Sequence, residues 1–302
     1  MPRRWRRLGW VSAGVAAVGL LLYAAGGMVL CESAIRVPKS AAPAWPPVPG
    51  EWRTVEVAAR DGAVLRAWLL SPAAWNGNAV VLLHGIADSR MGTMGLARLF
   101  LANGYEVLAP DSRGHGESGG ELVTYGLREA DDLHRWVDWL AADRHPRRVY
   151  GMGESLGAAV LLQSLAVEPR FSAVVTECPF ASFEAVAVDR VAQRLPVGPA
   201  LGHVLAAPLV WSGFLYARAR YGLDYRAASP EQAIGAISTP VLLIHGLEDT
   251  NIYPAHSKTL AARNPGRITL WLVPGAKHTA AFGAAPEEFR RRVLAWFTEH
   301  TR

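Results

Sequence analysis

Three regimes of hydrophobic and polar patterning follow one another along the chain. Residues 8–31 (LGWVSAGVAAVGLLLYAAGGMVLC) carry no charge. At about 1.5 Å rise per residue, a helix of that length reaches roughly 36 Å and exceeds a hydrocarbon core of about 30 Å. Residues 37–50 (VPKSAAPAWPPVPG) hold five prolines. That composition predicts a stiff, extended linker that sets the folded part off from a membrane surface. From about residue 51 onward, strand-like and helix-like apolar runs alternate.

Residues 52–58 and 64–70 are β-rich runs separated by Asp61-Gly62, a hairpin signal. Residues 79–83 (AVVLL) form a continuous apolar run, as expected of a strand buried on both faces. A helix over about 92–103 and a strand over 105–109 follow. Leu127, Ala130, Leu133, Trp136, Val137 and Leu140 then fall at helical spacing on one face. Strands at 148–152, 171–178, 241–245 and 268–273 and helices at 156–167 and 287–299 complete the alternation. This predicts an α/β fold, a doubly wound, mainly parallel sheet of about eight strands, with ligands at the carboxyl ends of the strands. Residues 183–234 break the pattern. They lack a convincing strand and are rich in Ala, Leu, Trp and Tyr. Exposing so much apolar surface is costly, which predicts a helical lid rather than an irregular excursion. The expected division is a basic tail and transmembrane anchor over 1–36, the linker over 37–50, and an α/β domain over 51–302 that carries the lid.

Composition narrows the classes. At 302 residues there is room for one α/β domain of roughly 250 residues. With 51% apolar residues, 19% charged and 11 tryptophans, disorder is not expected over most of the length. The net charge of +5 falls to +1 once Arg3, Arg4, Arg6 and Arg7 are set aside, and no basic stripe appears elsewhere. Nucleic acid is therefore not an expected partner. Those arginines predict a single-pass cell-membrane protein with its N-terminus inside and the folded domain outside the cytoplasm. Signal cleavage near Ala24 to Gly27, giving a secreted protein, is the alternative. Against it, the apolar run exceeds the usual cleavable core of about 7–15 residues and continues through Met28, Val29 and Leu30. The two cysteines, Cys31 and Cys178, make no disulfide framework, and Cys178 reads as a small buried hydrophobe. No C-x-x-C or H-E-x-x-H spacing occurs, so neither metal nor cofactor is expected.

The chemistry centres on Gly153-Glu154-Ser155-Leu156-Gly157, placed between a strand-like and a helix-like run. A serine hydroxyl needs a base, and its oxygen must stand clear of the backbone. A sharp strand-to-helix turn flanked by glycines provides that, because side chains beside the serine would collide with strand and helix. The helix N-terminus favours negative charge there. The serine needs a histidine, and the histidine an acid. Two loops at the carboxyl ends of strands offer them, His245-Gly246-Leu247-Glu248-Asp249 and Gly275-Ala276-Lys277-His278.

Together with His84-Gly85, the run from Asp111 to Ser118 (DSRGHGES) and Pro179-Phe180, these motifs resemble the α/β-hydrolase superfamily over residues 52–300. The resemblance is to its lidded esterase, lipase and serine-aminopeptidase-like members. It implies Ser155 as nucleophile, Asp249 as acid and His278 as base, with the backbone N–H groups of Ile86 and Leu156 as the oxyanion hole. His84 and His245 precede glycine at strand ends and read as loop-shaping residues; His115 and His256 read as loop packing. Glu248 neighbours Asp249, but the H-G-x-x-D spacing favours Asp249. Asp111 and Arg113 read as braces beneath the site, and Glu154 has no evident partner in the sequence.

The expected function is a serine hydrolase cleaving a carboxylic ester or related acyl bond through an acyl-enzyme. Lid and anchor favour a small-molecule or lipid-like acyl substrate. One alternative is a serine peptidase or amidase, although no acidic cluster is placed to hold a free amino terminus. Another is a catalytically silent, membrane-tethered binding protein, against which stand three competent triad residue types.

Overall fold

The computed structural model describes residues 3–40, 46–48 and 50–300. The side chains of residues 3–9, 11 and 16, hence the four N-terminal arginines, lie outside the described residues, as do linker positions 41–45 and 49. In chain order come α1 (Arg3–Ile35), β1 (Glu51–Ala58), β2 (Val64–Ser71), β3 (Asn78–Leu83), α2 (Met94–Ala102), β4 (Glu106–Pro110), α3 (Glu129–Asp143), β5 (Arg148–Glu154), α4 (Leu156–Ser164) and β6 (Phe171–Glu177). Next are α5 (Phe183–Ala192), α6 (Pro199–Tyr221), a short α7 (Pro230–Ala233), β7 (Val241–Gly246), α8 (Pro254–Arg263), β8 (Ile268–Val273), a single turn α9 (Ala281–Ala284) and α10 (Pro286–Glu299). The chain divides into two compact units, Met1–Ile35 with Glu184–Arg226, and Arg36–Phe183 with Ala227–Arg302.

The larger unit holds one eight-stranded sheet in the order β1-β2-β4-β3-β5-β6-β7-β8. β2 runs antiparallel to both β1 and β4, and β3 to β8 are parallel. This is the mainly parallel sheet that the alternation predicts. The β1–β2 hairpin pairs from Glu51 with Ser71 to Ala58 with Val64, across the Asp61-Gly62 turn. Central strands are apolar throughout because both faces are covered: Val80, Val81 and Leu82 are fully buried. On one face, Phe297 of α10 stacks on Tyr150 at 4.5 Å and on Phe100 at 5.6 Å between ring centroids. Such ring pairs add about 0.5–1.5 kcal/mol each beyond their buried area.

Two local features differ from expectation. The helix after Ser155 ends at Ser164, not 167, because the next N–H groups bond three residues back, Ala166 to Gln163 and Val167 to Ser164. The linker does not stand free over its described residues. Lys39 Nζ donates to Ser118 O at 2.6 Å, Ser40 Oγ to Ala87 O at 3.0 Å, and Val48 packs against the core. Prolines remove N–H donors but leave carbonyls free to accept, and Pro47 O takes a hydrogen bond from Arg98.

The smaller unit is helical, and no strand occurs over 183–234 among the described residues. α6 opens with Pro199 at its first turn, where a missing N–H costs nothing, and closes on Gly222 in the left-handed conformation, φ +69°. It packs on α1 through glycines. A Cβ on Gly27 would lie 2.7 Å from Gly213 N, and one on Gly213 would lie 2.7 Å from Gly27 O.

Candidate active site

Ser155 joins β5 to α4 at φ 52°, ψ −113°, a conformation that costs a non-glycine residue on the order of 1–3 kcal/mol. The surroundings hold it there. Its N–H donates to Glu177 O on β6 at 2.8 Å, and its carbonyl accepts from Ala159 N at 3.1 Å to start α4. The flanking glycines are sterically required. A Cβ on Gly157 would sit 2.4 Å from Leu83 O and 2.6 Å from His84 O; one on Gly153 would sit 2.6 Å from Gly157 C. Strand and helix thus approach too closely for a side chain at either position two residues from the serine.

The loops after β7 and β8 bring their side chains to the same place. His278 Nε2 lies 2.9 Å from Ser155 Oγ, and His278 Nδ1 lies 2.7 Å from Asp249 Oδ2. Asp249 is buried, and its Oδ1 accepts from Asn251 N at 2.8 Å and Ile252 N at 3.0 Å. Burial alone would raise its pKa. The hydrogen bonds from His245, His278 and Ile252 N–H outweigh that and hold the carboxyl well below the usual carboxylate range. A persistent anion at Nδ1 fixes the histidine proton there and leaves Nε2 as an acceptor for the serine hydroxyl. Glu248, the neighbouring acid, is exposed.

Leu156 is the first residue of α4, so its N–H has no partner within the helix. The His84-Gly85-Ile86 loop passes beside the serine: a Cβ on Gly85 would lie 3.6 Å from Ser155 Cβ. The sequence-expected donors Ile86 and Leu156 therefore come from two segments that both border Ser155.

His84, His115 and His256 are tied elsewhere. His84 Nδ1 bonds Gly85 O at 2.7 Å while Nε2 accepts from Ser112 N at 3.0 Å. Burial, then the neighbouring His115, lowers the His84 pKa to about 4, so it is neutral at pH 7. His115 bonds Arg113 O at 3.0 Å, and His256 accepts from Ala181 N at 3.2 Å. Asp111 accepts from Arg90 N at 2.7 Å and Glu117 N at 2.8 Å, and Arg113 grips Asp132 with two bonds of 2.7 Å. These are loop braces.

Three features escape the sequence reading. His245 shapes its loop through Ser257 Oγ and Ile252 O, yet its Nε2 is also 3.3 Å from Asp249 Oδ2. Glu154 does have a neighbour, Glu177, paired with it in register across β5 and β6. Burial raises the Glu154 pKa to about 8 and that of Glu177 to about 7. Glu177 Oε1 accepts from Ala281 N at 2.9 Å, whereas Oε2 has no protein partner. A lone carboxylate ending an apolar strand was the available signal. Finally, the ligand atoms of Cys178, Asp249 and His278 lie within 4.8 Å of one another. Burial pushes the Cys178 thiol up, which disfavours the thiolate a metal requires.

The pattern of strands, loops and polar groups has counterparts in known proteins. The profile of the alpha/beta hydrolase family matches residues 80–292. A monoacylglycerol lipase of Mycolicibacterium smegmatis is 30% identical over 247 residues, spanning 73% of this chain and 88% of that protein. The Bacillus subtilis protein YqkD is 29% identical over 219 residues, spanning 72% of this chain and 70% of its own length. Among solved structures, the Pyrococcus furiosus esterase Pf2001 superposes with a TM-score of 0.72 at 25% identity, covering 88% of this chain and 98% of that one.

Proposed function

Since the chain belongs to the alpha/beta hydrolase family, we propose that it is a serine hydrolase cleaving a carboxylic ester or related acyl bond. One observation carries the reading: His278 bridges Ser155 Oγ and Asp249 Oδ2 at 2.9 and 2.7 Å, with Ser155 raised on a strained strand-to-helix turn. Ser155 Oγ attacks the acyl carbonyl as His278 Nε2 takes its proton, and Asp249 balances the imidazolium. The tetrahedral oxyanion is received by the N–H groups of Leu156 and Ile86, each such donor being worth roughly 3–4 kcal/mol in other hydrolases. Collapse expels the alcohol with the proton from His278. Water, deprotonated by the same histidine, then releases the acid and restores Ser155.

The names of similar proteins, a lipase and an esterase, support an ester as substrate over an amide. An uncleaved α1 would anchor the protein with its N-terminus inside, which favours a lipid-like acyl group. Labelling of the folded protein by a fluorophosphonate, lost in Ser155→Ala, tests the nucleophile. A chain-length series of p-nitrophenyl esters set against aminoacyl amides tests the bond. A large preference for amides reverses the ester assignment, and absence of labelling removes the catalytic reading.

A further inference from the structure

Helix α6 is inside out by the standards of a water-exposed helix. Leu201, Val204, Pro208, Trp211 and Leu215 recur at intervals of three and four and line one face; all are exposed, Leu201 by 52%, Val204 by 68% and Leu215 by 66%. The opposite face, Gly202, Ala206, Val210, Gly213, Phe214 and Ala217, is buried. Single exposed apolar residues are ordinary; a continuous stripe of them is not. Including the turn before it, residues 195–211 (LPVGPALGHVLAAPLVW) contain one ionisable side chain, His203. That histidine is bonded to Pro199 O at 2.8 Å and Asp189 at 2.7 Å.

The buried face packs on the outer end of the α1 apolar run. Ser212 Oγ donates to Tyr23 O at 2.9 Å, Gly213 meets Gly27 backbone to backbone, and Tyr216 and Tyr221 both donate to Glu32. The exposed apolar residues of α1, among them Val18, Leu21 and Val29, belong to the same unit. Arg218 and Arg220 occupy the last turn of α6, near the two tyrosines. Aromatic and basic groups gathered where an apolar run ends are the signature of a headgroup boundary.

α6 has the length and composition of a span, but the topology forbids one. β6 before it and β7 after it are hydrogen-bonded neighbours in one sheet, so both ends of the insertion return to the same side. A helix whose outward face is an apolar stripe, with basic groups at its last turn and both ends on one side, meets the membrane through that stripe without crossing to the far side.

We propose that α6 dips into the bilayer from the outer side alongside α1, its exposed apolar stripe covered by lipid acyl chains. The proposal rests on retention of α1 as anchor and is independent of the ester-hydrolase reading. It makes α1 a structural part of the helical unit rather than a bare tether.

The test uses the full-length chain in phosphatidylcholine–phosphatidylglycerol vesicles. L201C, V204C and L215C, each labelled with a polarity-sensitive fluorophore, are compared with K258C on α8, an exposed position of the other unit; native Cys31 and Cys178 are buried. Nitroxides on the lipid acyl chains should quench the α6 labels at least about threefold more than the Lys258 label, with aqueous iodide showing the reverse order. Three separate positions keep the outcome readable if one variant misfolds, as judged by circular dichroism. Iodide quenching of all folded α6 variants equal to that at Lys258 overturns the proposal. Intact-mass analysis of the same sample separates the failures. Cleavage near residue 28 overturns the anchor and the proposal together. An intact α1 with water-exposed labels overturns the lipid contact of α6 alone.

Discussion

The Ser155 turn and the α1–α6 pair use the same steric device for different ends. In both, a glycine lets two backbones approach to distances that a methyl group would block: Gly157 against Leu83 O, and Gly213 against Gly27 O. At the turn, the close approach fixes one oxygen atom relative to a histidine 123 residues away in sequence, at 2.9 Å. Between the helices, it sets only a separation, with no reacting atom placed by it. Close packing becomes chemistry only where a reacting atom depends on it.

The largest expected effects test the turn side of this contrast. Ser155→Ala should reduce ester turnover by up to about a millionfold, on the precedent of subtilisin, while leaving the thermal midpoint within a few degrees. Near-normal kcat in that variant would dissolve the contrast, since Ser155 would then be strained for no chemical end. Asp249→Asn should cost about ten-thousandfold, because the amide no longer fixes the His278 proton at Nδ1. Its kcat/KM, measured from pH 6 to 9, should stay low throughout; recovery to wild-type rates at alkaline pH would argue against an orienting anion.

A matched pair of substitutions sharpens the comparison. Gly157→Ala places a Cβ 2.4 Å from Leu83 O, and Gly213→Ala places one 2.7 Å from Gly27 O. Each should cost about 1–3 kcal/mol in urea denaturation, as overpacked sites do. Activity should separate them. A displacement of about 1 Å at a reacting group costs on the order of a hundredfold, so Gly157→Ala should lose at least that much turnover of a short-chain ester. Gly213→Ala should stay within about threefold of wild type. Equal losses in both would mean that the helical unit is as tightly tied to turnover as the serine turn.

The same contrast explains what the sequence disclosed. The serine turn is legible because its demands are local: five consecutive positions meet one stereochemical requirement, and glycine satisfies it where side chains cannot. The parallel sheet is legible for a related reason, since burial on both faces forces runs such as Ala79 to Leu83. The helical character of 183–234 follows from composition, but its pairing with α1 does not. Gly27 and Gly213 carry no mutual signal, and the hydrogen bond of Tyr216 to Glu32 spans 184 residues. Glu154 illustrates the limit most clearly. Its position in the motif was plain, while its neighbour Glu177 became visible only once β5 and β6 lay in register.

That carboxyl pair supports the smallest prediction, on pH. Burial holds Glu154 at about 8 and Glu177 at about 7, each above the 4.5 ordinary for the group. The unfolded chain releases these protons above about pH 4.5, whereas the folded chain keeps them. Their contribution to stability is therefore fully present below pH 4.5 and is lost as pH rises through about 7 and then about 8. Glu154→Gln replaces a protonated acid by a neutral amide of the same shape and cannot ionise. Its urea midpoint should fall less between pH 5 and pH 9 than that of the wild type, with the two nearly equal at pH 5. Because Glu154 is half-buried, solvent screens part of the effect, and a difference of a few tenths molar in midpoint is the scale expected. Identical falls in both proteins would show that Glu154 ionises without cost, and that the Ser155 turn tolerates a charge in the residue before the nucleophile.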